Sequence, residues 1–264
     1  MINRNIAEFH FLLGFARETH VDGNGTGAFK RYWNFNYFSP TKVAKLKKEN
    51  KNVKVMISIG SHDIGYKFDP INKNEWIKKA KSSIKELILD YENEVMTDEN
   101  IIDGIDINYE YITSSINDFS NCIGLVIQQL KDDPDVSKSM SVVSIAPITP
   151  TELLQPHYLK LYLDNKDNID LIDYKFYNQS FKSTDDFVDL FNQLVTDYDA
   201  AYKLLAGVST EMSTSATMSP SFFVDACTIL INRASLAGVF VWDADASAPK
   251  YSIEKDLQKL LIKK

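Results

Sequence analysis

Seven short, β-rich apolar runs alternate with seven longer stretches of helical period, and this alternation restricts the fold more than any other feature of the sequence. The strand-like runs lie near 9–16, 53–60, 102–109, 141–147, 171–177, 204–210 and 238–243. The helical patterns between and after them cover 41–50, 74–92, 117–132, 151–164, 185–198, 220–235 and 252–263. Strands that alternate with helices are parallel and are joined by helical crossovers, which predicts an α/β protein. Asn117 or Asp118 is suited to cap the third helix and Thr184 the fifth, and Ser219-Pro220 opens the sixth. No linker or low-complexity segment interrupts the series, so residues 1–264 read as one domain.

Two architectures follow such a pattern: an open doubly wound sheet and a closed barrel of eight βα units, typically about 250 residues long. No GxGxxG follows the first strand and no P-loop occurs, so the nucleotide-binding open sheet loses support. The barrel suits the 264 residues but not the strand count, because residues 1–8 have room for one short strand at most. The expectation is therefore a (β/α)8 TIM-barrel type lacking most of its first βα unit, with seven main parallel strands.

The stretch DGIDINYE, 103–110, is the polar anomaly of the series. Side chains alternate along a strand. Asp106, Asn108 and Glu110 share one face, and Ile105, Ile107 and Tyr109 share the other. Strand 171–177 repeats the arrangement, with Asp173, Lys175 and Tyr177 opposite Ile172, Tyr174 and Phe176. Two strands thus send polar groups toward one interior. In barrels the reacting groups sit at the C-terminal ends of strands, which is where Glu110 and Tyr177 fall.

These residues resemble glycoside hydrolase family 18, the chitinases and their relatives. DGIDINYE is similar to the family signature DGxDxDxE. Ser58-Ile59-Gly60 resembles its SxGG strand, although Ser61 stands where the last Gly is expected. Lys175-Phe176-Tyr177-Asn178 resembles the strand carrying the acetamide-binding Tyr, and Trp242 in GVFVWDAD falls where the family has the Trp that floors the sugar site. Within the family, EFHFLLGFA, VVSIAP, STDDFVDLF and GVFVWDAD read like the plant narbonin-like branch, which includes narbonin, concanavalin B and the Rubisco-associated protein. Several members of that branch are regarded as lacking chitinase activity and as serving in storage or binding.

The resemblance implies a site and a defect in it. Active members use the acetamide of the substrate as nucleophile, outside the two-carboxylate rule. Glu110 matches the proton donor, Tyr177 the acetamide carbonyl donor and Trp242 the floor, while Asp103 and Asp106 match the first two motif aspartates. Ser58, Gly60 and Lys175 join them as substrate-side positions. Asn108 stands at the assisting Asp, which in active members balances positive charge on the oxazolinium intermediate. Asn offers an acceptor oxygen but no charge. A unit charge about 4 Å away is worth roughly 4 kcal/mol at an effective dielectric near 20. Losing much of that slows a reaction about a hundredfold to a thousandfold. Lys175 stands where the family usually has an uncharged residue. An ammonium in the same interior favours ionised carboxylates, which cannot donate a proton.

The implied function is a catalytically silent or strongly impaired chitinase-like barrel with a storage or interaction role. Two alternatives stay open: a module binding chitin oligosaccharides, and a slow or altered hydrolase of N-acetylglucosamine polymers. A chitin-type oligosaccharide or a protein is the expected partner. A net charge of −7 argues against nucleic acid and anionic membranes. His10, His20, His62 and His157 are scattered, and Cys122 and Cys227 lie in no metal spacing, so neither metal nor cofactor is expected. MINRNIAEFHFLLGFARETH does not read as a secretory leader, because its apolar run is short and no small-residue cleavage site follows. Cytoplasmic location is the default expectation, replaced by a secreted or vacuolar one where a further N-terminal segment precedes this chain.

Overall fold

The computed structural model of the chain describes residues 2–95, 100–148, 154–211 and 218–262. Its residues group into two compact units. The larger is Ala7–Ile145 with Pro156–Asp170, and the smaller is Met1–Ile6, Ala146–Gln155 and Leu171–Lys264.

In the larger unit the strands are β1 (Phe9–Val21), β2 (Asn24–Arg31), β3 (Val53–Ser61), β4 (Gly104–Tyr109) and β5 (Val142–Ile145), in the order β2-β1-β3-β4-β5. β1, β3, β4 and β5 are parallel. Helices α1 (Pro40–Glu49), α2 (Lys73–Glu92) and α3 (Ile116–Lys131) separate them, and α4 (Gln155–Asn165) follows β5. In the smaller unit β6 (Leu171–Lys175), β7 (Leu204–Ser209) and β8 (Gly238–Trp242) are parallel neighbours. They alternate with α5 (Thr184–Tyr198) and α6 (Pro220–Asn232) and are followed by α7 (Ala244–Ser247) and α8 (Ser252–Ile262). All seven anticipated strands are thus present. Residues 2–8 contribute none.

β2 is an element the apolar pattern did not announce. β1 runs past residue 16 to Val21 and turns back through Asp22-Gly23 into an antiparallel ladder, in which Glu18 faces Phe29 and Val21 faces Asn24. Both turn residues have positive φ, 50° and 78°, as a two-residue hairpin turn of matching twist requires.

The helix starts differ from expectation by small steps. Ser115, not Asn117 or Asp118, caps α3 by accepting the Asp118 N–H. Ser183, not Thr184, caps α5 in a reciprocal pair with Asp186. In both places a serine just upstream adopts the extended backbone a cap needs. Ser219 caps α6 with Pro220 behind it, as expected. The expected helix over 151–164 begins at Gln155; residues 151–153 lie outside the described residues.

The outer face of β4 shows how the core is assembled. Ile105, Ile107 and Tyr109 are all at most 1 % exposed. The Tyr109 ring meets Phe68 and Phe119 edge-on at 5.5 and 6.4 Å, and Phe68 packs against Trp76 of α2 at 5.0 Å. Trp76 and Trp33 are packing residues: both are buried, and the Trp33 indole donates to Tyr91 Oη at 2.9 Å. Cys122 and Cys227 are buried free thiols on α3 and α6. Burial pushes the Cys122 thiol up to about 11, which makes it inert as a nucleophile.

Candidate active site

The register of β4 against its neighbours sets the motif side chains. Ser58 of β3 and Ser144 of β5 both pair with Asp106. Their hydroxyls donate to its two carboxylate oxygens at 2.6 and 2.8 Å. Asp106 is 2 % exposed, so each of these charge-assisted bonds replaces hydration lost on folding. Ser144 is a site residue that sequence reasoning missed. The only signal for it was its inward parity within VVSI.

Gly60 pairs with Asn108 one pleat further on. Its φ of +115° lies outside the range of ordinary side chains, and a Cβ there would stand 2.5 Å from the Asn108 carbonyl oxygen. Gly60 therefore lets β3 approach the backbone that carries Asn108. Ser61, in place of a second Gly, is buried, and its Oγ accepts the Asp63 N–H at 3.1 Å. Asn108 is 6 % exposed, on the same face of β4 as Asp106. Glu110 lies just past the strand, half-buried, with its N–H on the Ser61 carbonyl at 3.2 Å.

Asp103 belongs elsewhere. It precedes β4 at the strand's N-terminal end, about 20 Å from Tyr109 at the usual rise per residue. Its Oδ2 accepts from Lys47 Nζ at 2.6 Å and from the Val55 N–H at 2.8 Å, and Lys54 Nζ stands 3.7 Å from Oδ1. These contacts tie α1 to β3 and β4. The structure thus sets Asp106, with Ser58 of β3 beside it, midway along β4 and Gly60, Asn108 and Glu110 toward the C-terminal end of that strand, and leaves Asp103 at the other end.

A second feature that sequence reasoning missed supports the motif from behind. Glu18 of β1 is 1 % exposed and takes hydrogen bonds from Trp76 Nε1 at 2.5 Å, the Gly27 N–H at 2.7 Å and Tyr109 Oη at 2.8 Å. Burial pushes its carboxyl above the ordinary value, against the pull of those three donors. Tyr158 of α4 completes the support by donating to the Tyr109 carbonyl at 2.9 Å and accepting its N–H at 2.7 Å.

The remaining matched residues lie in the smaller unit. Lys175 ends β6 and is 1 % exposed, so its side chain does not reach out to solvent. Its N–H bonds the Pro147 carbonyl at 3.0 Å. The expected alternation through Tyr177 stops there: Phe176–Asn178 form a turn of 3-10 helix, so Tyr177 is placed by a turn and not by the strand. Phe176 stays buried among aromatic rings, 4.5 Å from Phe187. Tyr177 is buried and meets Phe240 edge-on at 6.2 Å. Trp242 ends β8, half-buried, with its carbonyl accepting the Thr210 N–H at 2.6 Å. Thr210 Oγ1 also donates to the Asp243 carbonyl at 2.6 Å, which fixes the backbone on the far side of Trp242.

The sequence pattern that describes "Glycosyl hydrolases family 18" matches residues 9–226. The chain belongs to this family. It is 35 % identical to Chitinase 1 of Tulipa saxatilis subsp. bakeri over 247 residues, which cover 91 % of the chain and 74 % of the tulip protein. It is 31 % identical to the RuBisCO-associated protein of Glycine max over 153 residues, 55 % of the chain and 50 % of that protein. The structure superimposes on the catalytic domain of a family 18 chitinase from the fern Peteris ryukyuensis with a TM-score of 0.84 at 32 % identity, covering 99 % of this chain and 93 % of the other. The fold is thus the TIM-barrel type of family 18. Both plant likenesses anticipated from the motifs, chitinases and the Rubisco-associated protein, are found.

Proposed function

We propose that this family 18 protein is silent, or nearly so, as a chitinase and serves in storage or interaction. One observation carries the reading. Asn108 occupies the inward face of β4 between Asp106 and Glu110, at the position where the family motif has the assisting carboxylate. The surrounding framework supports a side chain there: Gly60 admits the backbone and Asp106 is held by two hydroxyls. The chemical loss is therefore local. An amide orients a substrate acetamide but supplies no negative charge to a developing oxazolinium ion.

A second reading is a module that binds chitin oligosaccharides without cleaving them. Tyr177 and Trp242 support it, since both aromatic positions of the family are retained.

Reversion tests both. Wild type should hydrolyse chitin oligomers at background rate. Asn108→Asp returns the missing charge, and Lys175→Gln removes a buried ammonium from β6. Together they should raise the rate about a hundredfold or more. Glu110→Gln in that background should abolish the gain. A wild type turning over as fast as an ordinary chitinase overturns the proposal. Calorimetric titration of wild type with chitin oligomers separates the two readings, because saturable binding without products favours the binding module.

A further inference from the structure

His20 has a carbonyl oxygen against each of its ring nitrogens. Nδ1 lies 3.1 Å from the Glu18 carbonyl oxygen, and Nε2 lies 2.9 Å from that of Lys67. A carbonyl oxygen only accepts, and a neutral imidazole carries one N–H. A neutral ring therefore makes one of these bonds and sets a lone pair against the other oxygen. An imidazolium makes both.

The fold sets up this geometry. The β1–β2 ladder shifts register between Glu18 and His20, and such a bulge re-aims the neighbouring side chain. His20 then reaches from the hairpin to segment 67–70, 47 residues further along the chain. That segment lies between the hairpin and the residues that follow Glu110. On one side the Gly25 N–H donates to the Asp69 carbonyl at 3.0 Å. On the other, the Phe68 N–H donates to the Tyr111 carbonyl at 2.8 Å, and the Phe68 carbonyl accepts the Thr113 N–H at 3.1 Å. The charged groups around the ring come from both elements. The carboxylates of Glu18 and Asp69 both lie within electrostatic reach of His20. The Lys67 ammonium stands 2.7 Å from Asp69. The Tyr66 ring meets the imidazole edge-on at 6.1 Å, with the Arg17 guanidinium 4.8 Å from its centre. Two carboxylates are thus set against two cations, which leaves the two carbonyls as the groups that distinguish a charged ring from a neutral one.

We propose that His20 is a pH-sensitive clasp: with a proton on each ring nitrogen it ties the β1–β2 hairpin to segment 67–70, and loss of one proton releases one of the two ties. Imidazole changes charge between pH 5 and 8. The clasp is closed on the acid side of that range and half open on the alkaline side. Segment 67–70 pairs with the residues after Glu110, so the same proton sets how firmly that end of β4 is backed. The clasp acts whether or not the chain binds or cleaves sugar.

Amide hydrogen exchange of the full chain from pH 5 to 8, corrected for the intrinsic pH dependence of exchange, tests the clasp. The Gly25 and Thr113 amides should be protected at least about tenfold more at pH 5 than at pH 8, the worth of one hydrogen bond from a charged donor. His20→Gln keeps one donor and does not titrate, so its protection should stay at the wild-type pH 8 level throughout. His10→Gln, on the same strand, should keep the wild-type dependence. Nitrogen-15 shifts of the His20 ring should show two N–H groups at pH 5 and one at pH 8. A ring with a single proton at pH 5 overturns the proposal. So does a flat protection profile in the wild type, a pH dependence that survives in His20→Gln, or one that vanishes in His10→Gln. If His20→Gln does not fold, the wild-type protection profile and ring shifts decide.

Discussion

The start and the middle of β4 bury carboxylates in opposite ways. At the N-terminal end Asp103 lies 2.6 Å from an ammonium that is itself 10 % exposed. Midway along the strand Asp106 takes hydroxyl protons from the two neighbouring strands at matched register. The first arrangement joins a helix to a sheet, so it reports on stability. The second holds a charged group at a set depth within the sheet, next to the positions where the family does its chemistry. Two aspartates of one eight-residue motif thus have different physical work, and their proximity in sequence conceals it.

The largest expected effect lies at the N-terminal end. Asp103→Ala strips the counter-ion from the buried Lys47 ammonium and the acceptor from the Val55 N–H. Breaking one partner of a buried pair costs about 3–5 kcal/mol. Urea unfolding should show that loss, while oligosaccharide titration of the folded fraction should match the wild type. A stability within 1 kcal/mol of wild type, roughly the value of an exposed pair, would erase the contrast between the two aspartates.

At mid-strand the expected losses are smaller and shared. Ser58→Ala or Ser144→Ala removes one hydrogen bond to a buried charged group, worth about 1.5–3 kcal/mol. Both serines serve the same carboxylate, so the double variant should deviate from additivity. A double-mutant cycle measures the deviation. Additive losses would mean that the hydroxyls act on Asp106 independently and would weaken the picture of a jointly held group.

The periodic features were the legible ones. Parity alone placed Asp106 and Asn108 on one face and Ile105 and Ile107 on the other, because the strand repeat is fixed by backbone geometry. Family motifs singled out Glu110, Tyr177 and Trp242 as candidates. What parity could not give was the end of a strand: β6 stops at Lys175, and Tyr177 rides on the turn that follows. Nor could it give partners distant in sequence. Lys47 and Asp103 are 56 residues apart, and Glu18 and Tyr109 are 91 apart. The β1–β2 hairpin was within reach, since Asp22-Gly23 is a strong two-residue turn signal, but its flanks lack the clean apolar alternation that marks the other strands. Glu18 lies inside that overlooked segment, which is why its role emerged only from coordinates.

Glu18 offers the smallest and most selective test of the contrast. It is a third buried carboxylate, and the donors that hold it, from Trp76, Gly27 and Tyr109, are all neutral. Burial raises its carboxyl from the ordinary value of 4.5, with the three hydrogen bonds opposing. The folded chain therefore holds this proton more tightly than the unfolded chain does. Its stabilising contribution is complete below about pH 4.5 and is lost as pH rises through the raised value. Glu18→Gln keeps the shape and an acceptor oxygen for Trp76 and Gly27, and its amide can donate to Tyr109 Oη, but it does not titrate. The variant should lie within about 1.5 kcal/mol of wild type at low pH. Its stability relative to wild type should then climb as pH rises from 4.5 toward neutrality. Urea unfolding of both proteins across that range gives the difference directly. A flat difference would mean that the three neutral donors hold the ionised carboxylate as well as water does, and that neutral support at this end of β4 equals the ammonium at the other.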